Sequence, residues 1–228
     1  MNVKFEGVTK TFFSRKGSVT ALDDVHLEIG EGQFVVVRGP SGSGKTTLLQ
    51  ILGGMLRPSR GRVWMGEADL YAMSVKDRAR FRARNIGFVF QMFHLIPYLT
   101  VEENVMAAAG GESRLTIRPE TRNLLDQFGM GHRIHHRPAQ LSAGEKQRTA
   151  IARALITQPR MVLADEPTGN LDPENAREVL DWLSKYHRQG GTVVLVTHDP
   201  FADSHAGRIF DIRQGRLEEL SVTAGAPS

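Results

Sequence analysis

Gly39-Pro40-Ser41-Gly42-Ser43-Gly44-Lys45-Thr46 decides how the rest of the chain is read. The stretch fits G-x-x-x-x-G-K-[ST], and its flanks fit as well. Phe34-Val35-Val36-Val37 precedes it as a short apolar run, and Thr47-Leu48-Leu49-Gln50-Ile51-Leu52 follows with helical character. Strand, glycine-rich loop and helix in that order make a phosphate cradle. Glycines let the backbone wrap closely around an anion. Successive N–H groups then point inward, and the helix adds the positive end of its dipole. Lys45 brings a full positive charge for the terminal phosphates, and Thr46 a hydroxyl for Mg²⁺. The expected ligand is a nucleoside triphosphate.

Bulk properties narrow the class. The chain has 228 residues, 40% hydrophobic and 24% charged, the proportions of an ordinary soluble globular protein. Its net charge of +4 could favour nucleic acid or an anionic surface, but a solvated surface is the preferred reading. The absence of cysteine excludes disulfides and thiolate-bound zinc. No stretch approaches the roughly 18 apolar residues of a membrane span, and Met1 to Gly7 lacks a signal-peptide core. A cytoplasmic chain is expected, touching a membrane only through a partner or its surface.

Other segments read outward from the cradle. Val3 and Phe5, then Val25, Leu27 and Ile29, alternate with polar neighbours and predict antiparallel strands in residues 1–33. Phe12 to Gly17 reads as a loop, with one phenylalanine closing the edge of the core. Residues 61–66 suggest another strand. Residues 74–84 suggest a helix carrying basic residues at every second position from Lys76 to Arg84. A solvated helix is preferred there over a nucleic-acid or lipid patch. Ile86 to Phe90 is an apolar strand with Gln91 at its end, where ligand-facing residues gather. Residues 92–140 lose strand signals and predict a helical insertion, with helices over 100–109 and 119–128. His132, His135 and His136 read as a solvated loop rather than metal ligands.

Ser142 and Glu145 form an S-x-x-E capping box opening a helix. Met161 to Ala164 is apolar at every position, a strand buried on both faces. It ends in Asp165-Glu166-Pro167. Two carboxylates at a strand tip beside a phosphate cradle point to metal and water chemistry: Asp165 for Mg²⁺, Glu166 for the proton of an attacking water. Val193 to Thr197 is the last buried strand, and His198 at its end is a site candidate. Residues 208–219 predict a hairpin turning at Gln214-Gly215, and 221–228 a loose tail.

Together these residues resemble the nucleotide-binding subunit of ABC transporters, over about residues 3–217. The cradle, Gln91, Leu141-Ser142-Ala143-Gly144-Glu145 as the family signature, Asp165-Glu166, Asn170-Leu171-Asp172 and His198 occur in the family's order. The resemblance implies an α/β fold: a P-loop NTPase core with a mostly parallel sheet, an N-terminal antiparallel β subdomain and an inserted helical subdomain over about 92–155. Residues 1–228 would be a single domain with its tail. ATP and Mg²⁺ are the implied cofactors. Phe12, or its neighbour Phe13, would stack on adenine. Gly39, Pro40, Ser41, Gly42, Ser43, Gly44, Lys45, Thr46 and Thr47 would hold the nucleotide, joined by Ser142, Gly144 and Asp172. Thr46, Gln91 and Asp165 would hold the metal, and Glu166, His198, Lys45 and Gln91 would serve catalysis.

The implied partners are a second copy, bound head to tail around two ATP molecules, and an integral membrane permease subunit at the inner face of the cell membrane. Phe88 to Gln91, Leu95 to Pro97 and Glu166 to Asp172 look like the lipoprotein-release, macrolide-efflux and cell-division group. Phe93, Leu95 and Pro97 are candidates for docking the permease or for the core of the lobe. The signature departs from the usual Leu-Ser-Gly-Gly-Gln. Ala143 adds a methyl, and Glu145 would bring negative charge near the nucleotide and weaken the closed dimer. Two other readings stand beside export: a regulatory ATPase of an envelope or cell-division complex, and a soluble relative acting on nucleic acid, which only residues 76–84 support.

Overall fold

The computed structural model describes residues 1–15, 17–110 and 113–220. Strand β1 (Val3–Ser14) pairs antiparallel with β2 (Gly17–Ile29), and β3 (Phe34–Arg38) leads into the cradle. Helix α1 (Lys45–Leu52) follows, then β4 (Arg60–Met65), the short β5 (Ala68–Asp69), α2 (Val75–Asn85) and β6 (Ile86–Phe90). The next stretch is helical: α3 (Val101–Met106), α4 (Arg114–Gln127) and α5 (Ala143–Leu155). The chain closes with β7 (Met161–Asp165), α6 (Pro173–Arg188), β8 (Thr192–Val196), β9 (Arg208–Arg213) and β10 (Arg216–Leu220).

Two sheets result. An antiparallel sheet has the order β2-β1-β4-β5, and a six-stranded sheet the order β10-β9-β3-β8-β7-β6. In the second sheet every pairing is parallel except β9–β10. Its apolar runs are explained by the two faces they serve. Val35 and Val37 enter a core shared with the antiparallel sheet and α1, while Phe34 and Val36 enter a second core with α5 and α6. Leu163 and Val162 of β7 divide in the same way. All the parallel strands end on the cradle side, as expected for ligand sites in such sheets.

The helical stretch is held by polar anchors as well as by its core. Glu102 is buried and is paired with Arg122 at 2.7 Å and Arg118 at 3.2 Å, tying α3 to α4. A buried carboxylate survives when it is paired in this way. Buried Asn104 accepts from Ile96 N–H at 2.7 Å and donates to the carbonyls of Ile96, Leu99 and Thr100. It fixes the loop ahead of α3.

Three local expectations change. The predicted loop at residues 12–17 is mostly strand, because β1 and β2 continue as a hairpin out to Ser14 and Gly17. Neither phenylalanine closes the core: Phe12 is 44% and Phe13 84% exposed. Helix α4 begins five residues before Pro119, because Ser113 caps it through Leu115 N–H and the proline is tolerated inside. The expectation of a loose tail falls on 221–228, and Lys16 of the predicted loop likewise lies outside the described residues.

Candidate functional site

The cradle is shaped by close approach of backbone. Gly39 has φ 150° and Gly44 φ 112°. A Cβ at Gly39 would meet the Ile212 carbonyl at 2.3 Å, and one at Gly44 the Ala21 carbonyl at 2.2 Å. Only glycine fits at either place, and the loop is thereby pressed against β9 and β2. It opens on a cleft of about 560 Å³ lined by Gly39–Gly42, Gly44–Thr47, Gln91, Glu166 and His198. Ser43 sits behind it, buried, its hydroxyl without a hydrogen-bond partner among the described residues.

Lys45 is largely buried. Its ammonium donates to the Gly39 carbonyl at 2.7 Å and the Pro40 carbonyl at 3.0 Å, and lies 3.9 Å from Glu166 Oε1. The charge is therefore stored at the lip of the cleft. Asp165 ends β7 beside it. Burial pushes its carboxyl up from the usual range, and the Asp165 neighbour Glu166 adds to this. A hydrogen bond from Thr46 and the charge of Lys45 pull the other way. Asp165 Oδ1 is buried and has no hydrogen-bond partner among the described residues. A buried carboxylate oxygen left open beside a threonine hydroxyl suits a hard cation that takes oxygen ligands, such as Mg²⁺.

Glu166 has φ +46°, an uncommon conformation for a glutamate, fixed by its N–H donating to the Val196 carbonyl at 2.8 Å. Such strain clusters at functional positions. The turn aims its carboxylate at His198, where Oε2 meets Nδ1 at 2.8 Å and accepts the His198 N–H at 3.2 Å. Gln91 stands just past β6 on the opposite wall. Its carbonyl accepts from Asn170 Nδ2 at 2.9 Å, and its side chain crowds Gly169.

The segment after Gln91 supplies a residue that sequence reasoning missed. Phe93 and His94 have φ of 57° and 48°. Arg153 of α5 donates to the carbonyls of both, at 2.6 Å for Phe93. The signal was present: an arginine between Ala152 and Ala154 in the apolar second half of α5. Exposure also shifts within this segment. Phe93 and Leu95 are half-buried and Pro97 is exposed, whereas Met92 and Tyr98 present 68% and 72% of their surface.

Other site residues lie away from the cleft. Phe12 is not in its wall, and Lys10 sits over its ring at 5.1 Å. Asp172 caps α6, accepting from the N–H groups of Glu174 and Asn175 and from Asn175 Nδ2 at 2.6 Å. Ser142 caps α5 with the expected capping box. Gly144 is buried against Asn175, whose Oδ1 would lie 2.1 Å from any Cβ there. The Glu145 carboxylate is neutralised within the chain: Arg133 Nε donates to Oε1 at 2.8 Å and Ser142 N–H to Oε2 at 2.8 Å. The negative charge expected at Glu145 is present, and it is paired with Arg133 within the chain.

The basic helix also resolves. Arg78 donates to the Met73 carbonyl and lies over Tyr71, Arg82 donates to the Gly54 carbonyl, and Arg80 pairs with Asp77. Three of the five cations of α2 are thus engaged within the chain, while Lys76 and Arg84 are exposed. Among the described residues no helix is long and apolar enough to cross a membrane.

The family model for ABC transporters matches residues 22–169. The lipoprotein-releasing system ATP-binding protein LolD of Xanthomonas campestris is 39% identical over 97% of this chain and 94% of its own length. The macrolide export ATP-binding/permease protein MacB of Pectobacterium atrosepticum is 42% identical over 94% of this chain. The chain spans about one third of MacB's length, 33%. The dimeric structure of the ATP-binding cassette MJ0796 in a post-hydrolysis state, bound to ADP and Pi, superposes with a TM-score of 0.89. It is 38% identical and the match covers 96% of this chain and 98% of that one.

Proposed function

The chain belongs to the ABC transporter family, and we propose that it binds and hydrolyses ATP as the motor of a membrane exporter or extractor. One observation carries this reading. Lys45 with Thr46, Gln91, Glu166 and His198, brought from four separate places in the sequence, meet around one phosphate-sized cradle. As chemistry, Lys45 exchanges the Gly39 and Pro40 carbonyls for the terminal phosphates. Thr46, Asp165 and Gln91 would hold Mg²⁺, which when bound would neutralise phosphate charge. Glu166 accepts a proton from the attacking water, and His198 fixes its carboxylate in place. Phe12, at the hairpin edge, meets the base.

Ser142 and Gly144, at the N-terminus of α5, complete the site from a second copy. Their absence from this chain's own cleft is what such sharing requires, and a two-fold arrangement uses each surface twice. Residues 1–220 then act as one catalytic unit, with the lobe near 92–155 relaying closure to a separate permease at the inner face of the membrane. Met92, Pro97 and Tyr98 are the apolar surface offered to it. Relatives named for lipoprotein release and macrolide export make lipid-linked protein, peptide or drug the cargo classes to test. A regulatory role in an envelope complex is the other reading within the family.

Phosphate release by the purified chain, with and without a candidate permease in a membrane, tests the proposal. Turnover that disappears in Glu166→Gln and rises with the membrane protein is expected. An unaltered chain that splits no ATP in either setting overturns it.

A further inference from the structure

The N-terminus of α5 is required, on the reading above, to attract a phosphate bound by a partner copy. Its first turn nevertheless carries a carboxylate, Glu145. An anion at that position competes with the ligand for the same positive helix end. The structure contains the remedy. Glu145 Oε1 accepts from Arg133 Nε at 2.8 Å while Oε2 closes the capping box on Ser142 N–H. Burial alone would push the carboxyl up; the Ser142 bonds and Arg133 together outweigh it and hold Glu145 below its ordinary value.

Arg133 is set for this task by its surroundings. It ends the short 3-10 turn Gly131–Arg133, its N–H donating to the carbonyl of buried Met130 at 2.9 Å. Its carbonyl accepts from His136 N–H at 2.8 Å, and its NH1 lies 3.2 Å from His136 Nε2. Two of the three cations of α5 are engaged elsewhere, Arg148 with Glu178 and Arg153 with the backbone after Gln91, and Lys146 makes no ion pair among the described residues. Among the described residues Arg133 is the cation in ion-pair contact with Glu145.

We infer that Arg133 is a positioning residue for the signature: it cancels the Glu145 charge and orients the capping box, so that the α5 terminus can receive the partner's nucleotide. The inference rests on the shared-site reading. It also explains how a signature with glutamate in place of glutamine remains usable. Arg133 touches no nucleotide itself; it acts through Glu145.

The test compares variants in a Glu166→Gln background, which holds ATP unhydrolysed. Dimerisation is followed by sedimentation at graded Mg-ATP. ATP binding to the single chain is followed separately with a fluorescent ATP analogue. Arg133→Gln is expected to weaken ATP-driven dimerisation by about tenfold, a helix-end charge counted at two related sites. Its analogue binding stays unchanged. Arg133→Lys retains most of the dimerisation. Arg133→Gln combined with Glu145→Gln returns to within about threefold of the parent, because no bare charge remains. A merely structural arginine would not be rescued by removing a carboxylate. Parent-like dimerisation in Arg133→Gln, or no rescue in the double variant, overturns the inference. Should Arg133→Gln misfold, Arg133→Met with and without Glu145→Gln carries the same comparison. If the Glu166→Gln parent itself stays single, the shared-site reading fails and this inference with it, an outcome distinct from the other two.

Discussion

The cradle face and the signature face of this chain are built on different principles. At the cradle, functional groups that end or follow β3, β7 and β8 already bond to one another: Lys45 to its own loop, Thr46 to Asp165, Glu166 to His198. At the signature, Ser142, Glu145 and Arg133 bond among themselves and make a helix end with nothing from the cleft upon it. The first region is a site lacking only its ligand. The second is a binding surface lacking a site. On the proposed function, the chemistry would reside in one copy while performing it would require two. Helix α5 joins the regions, since it begins at the signature and, through Arg153, ends by gripping the segment after Gln91.

Substitutions can break this contrast. The largest effect is expected for Glu166→Gln, where loss of the general base lowers turnover by about 10²–10⁴-fold. Nucleotide binding should persist; a titration showing lost affinity would place Glu166 in binding instead. Lys45→Ala should weaken ATP affinity by about 10- to 100-fold, the worth of charge-assisted bonds, whereas Ser142→Ala should leave single-chain affinity unchanged. Equal losses in both would erase the distinction between the faces.

Arg153→Gln probes the connection. It strips donors from two carbonyls of residues held at positive φ. A stability loss of about 2 kcal/mol in urea is expected, and turnover should respond less to the membrane protein. Retained stimulation would show that coupling runs elsewhere. Ser142→Ala has the smallest expected effect on the fold, about 1 kcal/mol for a lost cap. Its effect on ATP-driven dimerisation should be the larger of the two.

Much of this was legible in the sequence because the signals were local. The cradle is eight consecutive residues, and the buried strands β7 and β8 are continuous apolar runs tipped by Asp165 and by His198. The capping box at Ser142 and Glu145 reads from spacing alone. What sequence could not supply was pairing across distance. Arg133 and Glu145 are twelve residues apart and meet only because the 3-10 turn and α5 fold together. Arg153 reaches back 59 residues to His94. Helix α4 starts ahead of the expected Pro119 because Ser113, six residues before the proline, caps it. Exposure in the loop after Gln91 depends on how Asn104 holds it, so Tyr98 rather than Phe93 or Leu95 faces outward.

The most direct measurement is the solution mass of the Glu166→Gln chain in Mg-ATP, taken beside the same chain carrying Ser142→Arg as well. The expected result is twice the single-chain mass of 25.3 kDa for the first and the single mass for the second, with ATP bound in both. A first sample that remains at the single mass, or a second that doubles like the first, would contradict a nucleotide site completed by the signature of a partner copy.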